Sequence, residues 1–377
     1  MNMNKAYSWC DEHAREQVEL LKEVAAIPSP SHNEDRRSVF LKNYLEKLGA
    51  KNVSIDAAKN VILPFGDCSK PAYVYAAHID VVFPDTTPFE VKEAGSRLLA
   101  PGVGDDTANV VAMLMMVKYI LSSGLKPKEP VLFVFNTCEE GLGNLKGSRQ
   151  LFTDRKGLIR EFVSFDGCYN SMVYRAVGSE RWRVKVETCG GHSFSAFGNP
   201  NAIAYLAKLI TKLDVQPVPK SEGTKTTYNF GTISGGTSVN AIAQNAEMLY
   251  EYRSDEVTYL SQMRSQFKAA VDECNCDKAK FILELVGERP CGENVDPDAE
   301  EKLLKKIGDA AFSVLGVIPG RRSASTDANI PLSLGVPAVT YGLYLGEGEH
   351  TREEYVEIPS LLIGLKVGMA IVLSHFV

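Results

Sequence analysis

The chain has 377 residues, of which 45% are hydrophobic and 23% charged, with a formal net charge of −6. That length is too great for one ordinary core and predicts two domains, while no apolar run approaches the roughly 20 residues needed to span a bilayer. The acidic balance and the lack of a basic cluster argue against nucleic acid or an anionic membrane as the main partner.

Taken in order, Met1-Asn2-Met3-Asn4-Lys5 lacks the apolar core of a secretory signal. Ala14, Val18, Leu21 and Val24-Ala25 recur at helical spacing, which predicts an amphipathic helix over 11–26, stopped by Pro28 and Pro30. Ser31 with Glu34 three residues later reads as a capping box for a second helix that ends at Gly49. Short strands follow near 53–55 and 61–65. Ala72 to Ala77 then reads as a strand buried on both faces, and it runs into His78-Ile79-Asp80. In extended chain His78 and Asp80 point the same way, which suits an imidazole ligand with a carboxylate near its second nitrogen. Pro101 to Asn109 is a glycine-rich turn into a helix over 110–121, apolar almost all round and therefore buried. An N-cap explains one of Asp105 and Asp106 and leaves the other available.

Val131 to Phe135 is a second buried-strand pattern, bounded by Pro130 and Gly141, and it ends in Glu139-Glu140. A helix is expected over 147–152. Phe162 to Phe165 is a third such run and ends in Asp166. One buried strand ending in polar groups is ordinary. Three, with a helix entered through Asp105, make a site at the strand ends where open α/β sheets bind ligands. From about 180 the texture changes. Strands at 182–187, 226–233, 247–253 and 280–286 alternate with helices at 201–213 and 257–271 in the order of a ferredoxin-like module. Buried α/β texture then returns, with a helix over 298–315, a strand over 336–341, Gly346-Glu347-Gly348-Glu349-His350-Thr351 and a closing helix over 360–373. The expected organisation is an α/β domain, a mixed sheet flanked by helices, formed by 1–179 and 289–377, with an inserted α+β domain at 180–288. The eight cysteines are scattered, Cys274-Asn275-Cys276 is too tight for a zinc knuckle, and free thiols in a reducing cytoplasm are expected.

If His78, Asp105, Glu140, Asp166 and His350 converge, two imidazoles and three carboxylates suit a pair of divalent ions with one carboxylate shared. Such a pair lowers the pKa of a water and polarises a carbonyl. Glu139, left over beside Glu140, is then placed to take the water's proton and pass it to a leaving nitrogen. That is the chemistry of amide hydrolysis. His192, in Gly190-Gly191-His192-Ser193, is by default a loop residue, and in a two-domain hydrolase it donates to an oxyanion. Asn240 is by default a turn residue and Arg253 a surface charge. His13, His32 and His375 receive no role.

His78-x-Asp80, Gly104-Asp105-Asp106, Glu139-Glu140-Gly141, Asp166-Gly167, Gly191-His192-Ser193 and His350-Thr351, in this order, resemble the di-zinc metallopeptidase and deacylase family. The stretches Gly231 to Asn240 and Ser325 to Asn329 look closest to its peptidase T-like aminopeptidase branch. The resemblance implies a zinc-peptidase-like catalytic domain with a ferredoxin-like lid that often mediates a homodimer. It implies one metal held by His78, Asp105 and Asp166 and another by Asp105, Glu140 and His350. Asp80 would orient His78, Glu139 would act as base and acid, and a cis peptide would follow Asp105. In dimeric members the counterpart of His192 reaches the partner's active site, and those of Asn240 and Arg253 bind the substrate's carbonyl and carboxylate. Aspartate at position 166 is typical of aminopeptidase-like members and glutamate of deacylases. Zinc is the default metal, and cobalt or manganese would fit the same donors. Glu347 and Glu349 make the rim beside His350 negative, which either selects a free amino group or faces water. The expectation is a cytoplasmic metallo-aminopeptidase for short peptides, with no nucleic acid or membrane partner. The alternatives are a deacylase of N-acyl amino acids and a non-catalytic, metal-stabilised binding protein.

Overall fold

The computed structural model describes residues 3–377; Met1 and Asn2, part of the stretch read for a leader, lie outside the described residues. The chain forms two compact units, Met1–Ala176 with Glu293–Val377, and Val177–Gly292. The inserted unit thus starts and ends a few residues outside 180–288.

The first unit is built on an eight-stranded mixed sheet. Its spatial order is Ser54–Ile55, Val61–Phe65, Val131–Asn136, Ala72–His78, Ile159–Ser164, Ala338–Tyr341, Ser171–Ala176 and Gly320–Ala324. The four central strands, from Val131–Asn136 to Ala338–Tyr341, run parallel. They alternate between two cores: Val131, Phe133 and Phe135 face one cluster, Leu132 and Val134 the other. Burial on both faces explains why these strands read as unbroken apolar runs rather than as an alternation. Register then aligns their exits. Asn136 lies opposite His78, and Ala76 lies opposite Ser164. Glu139-Glu140 and Asp166, just past two of the strands, therefore emerge at the level of His78.

Several expectations are corrected. The helix expected over 11–26 is present as Ala14–Ala25, and an unexpected helix, Met3–Glu12, precedes it, the two parted at His13, whose ring stacks on Trp9 with centroids 4.0 Å apart. The capping box does not form. Glu34 itself occupies the N-cap of the helix Asp35–Lys47, and the Ser31 hydroxyl donates instead to Asp80 at 2.7 Å. The strands Ser171–Ala176 and Gly320–Ala324 were missed, as was a small sheet made of Lys92–Ala94, Arg97–Leu99, Gly346–Glu347 and Tyr355–Glu357. All are short or rich in charge, so no apolar period marks them. The stretch Ile358–His375, with mean hydropathy 1.6, is long and apolar enough by length and composition to cross a bilayer, contrary to the expectation that no run is. Its helix Ile358–Val372 packs against the apolar helix Thr107–Ser122, and 61% of the stretch is buried.

The second unit is a four-stranded antiparallel sheet in the order Thr226–Gly235, Asn245–Ser254, Gly178–Glu187, Lys280–Arg289. The helices Ala202–Asp214 and Val257–Cys274 complete a strand–helix–strand–strand–helix–strand order. Val184, Val186, Tyr250 and Tyr252 pack against Leu206 and Phe267 of the helices. Asn201 starts the first helix by accepting the N–H groups of Ile203 and Ala204, as an N-cap does.

Candidate metal centre

Five of the residues singled out in the sequence meet in the first unit, at the carboxyl end of its parallel strands. The Asp105 carboxylate lies between two imidazoles: Oδ1 is 3.1 Å from His78 Nε2, and Oδ2 is 3.1 Å from His350 Nε2. His350 Nε2 also lies 3.1 Å from Glu140 Oε1. Ligand-capable atoms of His78, Asp105, Asp106 and Asp166 all fall within 4.8 Å of one another, and so do those of Asp105, Glu140 and His350. The two groups share Asp105. A third, overlapping group joins His78, Glu139 and Glu140.

The backbone around these groups is specialised. The Asp105–Asp106 peptide is cis. Asp106 sits at the N-cap position of Thr107–Ser122 but makes no side-chain cap bond. Its carboxylate accepts the His78 N–H at 3.0 Å and the Asn109 amide at 2.6 Å. Cys138 (φ 57) and His350 (φ 65) hold left-handed backbone, a conformation costing a non-glycine residue on the order of 1–3 kcal/mol and concentrated at functional sites. The Cys138 thiol donates to Glu34 at 3.1 Å, which anchors the turn leading into Glu139.

Asp80 does more than the sequence reading gave it. His78 Nδ1 lies 3.1 Å from the Asp80 main-chain oxygen and 3.5 Å from its carboxylate. The carboxylate accepts the N–H groups of Glu139 and Glu140, each at 3.0 Å. It therefore fixes the peptide that presents both glutamates, and burial alone would leave such a group costly without these donors.

Negative charge crowds the centre. Burial, reinforced by Asp105 and Glu139, holds the Asp166 carboxyl well above the usual carboxylate range. Burial and then Asp105 push Glu140 up to about 8. Hydrogen bonds to Asp105 and Glu140 raise His350 to about 11. Burial opposes a charge on His78, yet Asp106, Asp105 and Asp80 outweigh it and lift its pKa well above the ordinary value. Acids that resist ionising together, around imidazoles that borrow protons to separate them, are what a ligand set does when its own atoms bond one another. Two imidazoles and three carboxylates are a donor set for borderline divalent ions, so the residues fit a dimetal group.

Arg37 and Glu354 escaped the sequence reading, and Asp327, inside the Ser325 to Asn329 stretch, was given no role there. Arg37 is fully buried, donating to the main-chain oxygens of Ile79 at 2.9 Å and Ile27 at 2.7 Å, and it brings a cation near Asp80. Asp327 accepts from Ser148 Oγ at 2.6 Å and from the Asn136 amide; burial and then Glu139 raise it to about 7. Glu354 is buried and accepts backbone N–H groups of the Asp105 turn. The acidic run Glu353-Glu354 after His350 was a visible signal for the last, and the Ser325 to Asn329 stretch for Asp327; nothing local marks Arg37.

His192, Asn240 and Arg253 belong to the second unit. His192 is exposed in a two-residue strand, Gly191–His192, paired with Ala241–Ile242, and its Nδ1 accepts the Phe194 N–H at 3.2 Å. Asn240 is exposed and accepts from Ser238 Oγ at 2.5 Å. Arg253 pairs with Glu251 through Nε at 3.0 Å and Nη2 at 3.1 Å.

A family model described as peptidase family M20/M25/M40 matches residues 74–374. The uncharacterized protein YgeY of Escherichia coli is 26% identical over 209 residues, covering 54% of this chain and 51% of that one, so the match spans about half the length of that relative. Among solved structures, a tripeptidase from Staphylococcus aureus superposes with a TM-score of 0.76 at 23% identity, covering 95% of this chain and 97% of that one. The aminopeptidase PepT from Bacillus cereus superposes with a TM-score of 0.73 at 20% identity, covering 95% and 98%. At these identities the structural likeness is one of fold.

Proposed function

The chain belongs to peptidase family M20/M25/M40, and from that premise we propose that it is an aminopeptidase that hydrolyses short peptides at a dimetal centre. Enzymes of this family generally depend on two metal ions. The observation that carries the reading is the meeting of two ligand-capable groups at Asp105, with Glu139 beside Glu140. On this reading His78, Asp105 and Asp166 hold one ion and Asp105, Glu140 and His350 the other, zinc being the proposed metal. When bound, the ions would supply a water of lowered pKa and a polarised carbonyl.

This chain's own residues then manage the proton. Asp80 holds the Glu139-Glu140 peptide by its two N–H groups, which fixes where the Glu139 carboxylate can reach. Glu139 takes one proton from the attacking water as its oxygen bonds to the peptide carbonyl carbon. It returns that proton to the nitrogen as the C–N bond breaks. Asp166 in place of a glutamate, and the exposed Glu349 beside His350, support a substrate with a free amino terminus. Eight free thiols support work in a reducing cytoplasm.

The roles carried over for His192, Asn240 and Arg253, and a homodimer through the second unit, are part of the same proposal. His192→Ala is expected to lower kcat with little change in KM; an unchanged kcat would remove its role. Comparison of free and N-acylated dipeptides tests the whole. Faster turnover of the free set is expected, and preference for the acylated set moves the assignment to the deacylase alternative.

A further inference from the structure

The segment after His350 returns at once to the interior. Thr351 closes a turn by donating its N–H to Gly348 at 2.9 Å, and four residues past His350 the Glu354 side chain is buried. Its position is set by backbone pairing. Tyr355 lies opposite Leu99, and Ala100 donates its N–H to the Glu354 oxygen at 3.2 Å. The carboxylate thus faces the turn that begins at Pro101. It accepts three N–H groups: Gly102 at 2.6 Å on Oε2, and Gly104 and Asp105 at 2.8 Å each on Oε1.

Successive N–H groups aimed at one point form an anion-binding concavity. Here the anion is the protein's own side chain. An ionised carboxylate suits the task because it only accepts, with lone pairs enough for every donor; an amide would turn its NH2 against one of the N–H groups. The turn has little freedom to do otherwise. A Cβ at Gly104 would come within 2.8 Å of the Tyr344 ring, and Gly102 holds φ +69 with Val81 Cγ1 only 2.4 Å from where a Cβ would sit.

We propose that Glu354 is the positioning residue for the shared carboxylate Asp105, so that one short segment, 350–354, both supplies a ligand and locks the ligand common to the two ions. The proposal rests on the dimetal reading above. Asp105 is held twice: its N–H by Glu354, its carboxylate between His78 and His350. Outer-shell partners of this kind are worth roughly 10–100-fold in metal affinity. Loosening Glu354 shifts Asp105 and weakens both ions together, whereas loss of a ligand to one ion alone would not.

The test uses the metal-free full chain. Zinc is titrated by calorimetry into the wild type, Glu354→Gln and Glu354→Asp, with the cobalt(II) absorption spectrum, thermal melting, kcat and KM measured alongside. The expected result is two equivalents bound by the wild type. In Glu354→Gln both should weaken by roughly 10-fold or more, with an altered cobalt spectrum and a fall in kcat larger than any change in KM. Glu354→Asp keeps the charge but is one methylene too short, and should fall between. If Glu354→Gln does not fold, Glu354→Asp decides the matter. Folded variants that bind both equivalents like the wild type, with the same cobalt spectrum, overturn the role of Glu354 alone. A wild type that takes up no metal removes the dimetal reading, and the proposal with it.

Discussion

At the amino-terminal end of the central parallel strands, half-exposed charges are paired off around the buried His375. Lys306 Nζ lies 2.7 Å from His375 Nε2 and 3.4 Å from Glu161, and His375 Nδ1 lies 3.4 Å from Glu129. Arg160 reaches Glu129 at 2.9 Å, and the Tyr73 ring covers His375 at 4.0 Å between centroids. Two cations answer two acids there. At the carboxyl end, Asp80, Asp105, Asp106, Glu139, Glu140, Asp166 and Asp327 share one unit with His78, His350 and Arg37. Those acids cannot all ionise without further positive charge. The same sheet therefore ends in a charge-balanced polar cluster on one side and an acid-rich cluster that calls for cations on the other. Chemistry belongs where the charge is unbalanced.

The largest effect expected is at Glu139. Glu139→Gln keeps size and position but cannot take a proton, so kcat should fall by roughly 10²–10⁴ while zinc uptake persists. Undiminished hydrolysis with metal bound would make the anionic end a binding or stabilising site and favour the non-catalytic alternative. Next comes metal removal. Chelation should abolish activity and lower Tm. An ion present at about 100 times its Kd stabilises by roughly 2.7 kcal/mol, and a Tm indifferent to chelator and to added zinc would mean that the acids are balanced in some other way.

The finished end makes the third prediction. Burial, and then the charge of Lys306, push the His375 pKa down to about 4 from 6.5. The unfolded chain then binds the proton more readily than the folded one. The contribution to stability is complete above about 6.5 and is lost as pH falls toward about 4, on the order of 1–3 kcal/mol. His375→Gln should flatten the stability profile in that window without touching metal binding; an unchanged slope would show that another group carries it. The smallest effect is at the rim. Glu349→Gln should raise KM for peptides with a free amino terminus several-fold, about 1 kcal/mol for one partly exposed pairing. N-acylated peptides should not notice the change, and equal effects on both would give Glu349 a structural part only.

His78, Glu139-Glu140 and Asp166 were legible because an apolar run that stops in polar groups is visible in the chain itself. Parallel register, which brings those ends level, is implied once the strands are buried on both faces. Asp80 shows where legibility stops. Its spacing from His78 suggested a ring partner, and the carboxylate does lie 3.5 Å from His78 Nδ1, but the spacing said nothing of the backbone N–H groups 59 and 60 residues away that it also accepts. The role of Arg37 escaped for the same reason, and so did that of Glu354, whose acidic run marked a charge but not its partners. Their partners are main-chain atoms from distant segments, and main-chain atoms leave no mark on residue identity. Ser31 was misread because a local capping box and a remote buried carboxylate compete for one hydroxyl, and the buried acceptor, with more to lose unpaired, takes it.

The centre itself is tested most directly by anomalous diffraction from crystals of the full chain grown with zinc, recorded on both sides of the metal's absorption edge. The account expects two peaks flanking the Asp105 carboxylate, one touching His78 and Asp166, the other Glu140 and His350. No peak there, or a peak elsewhere while these side chains still bond one another, would contradict it.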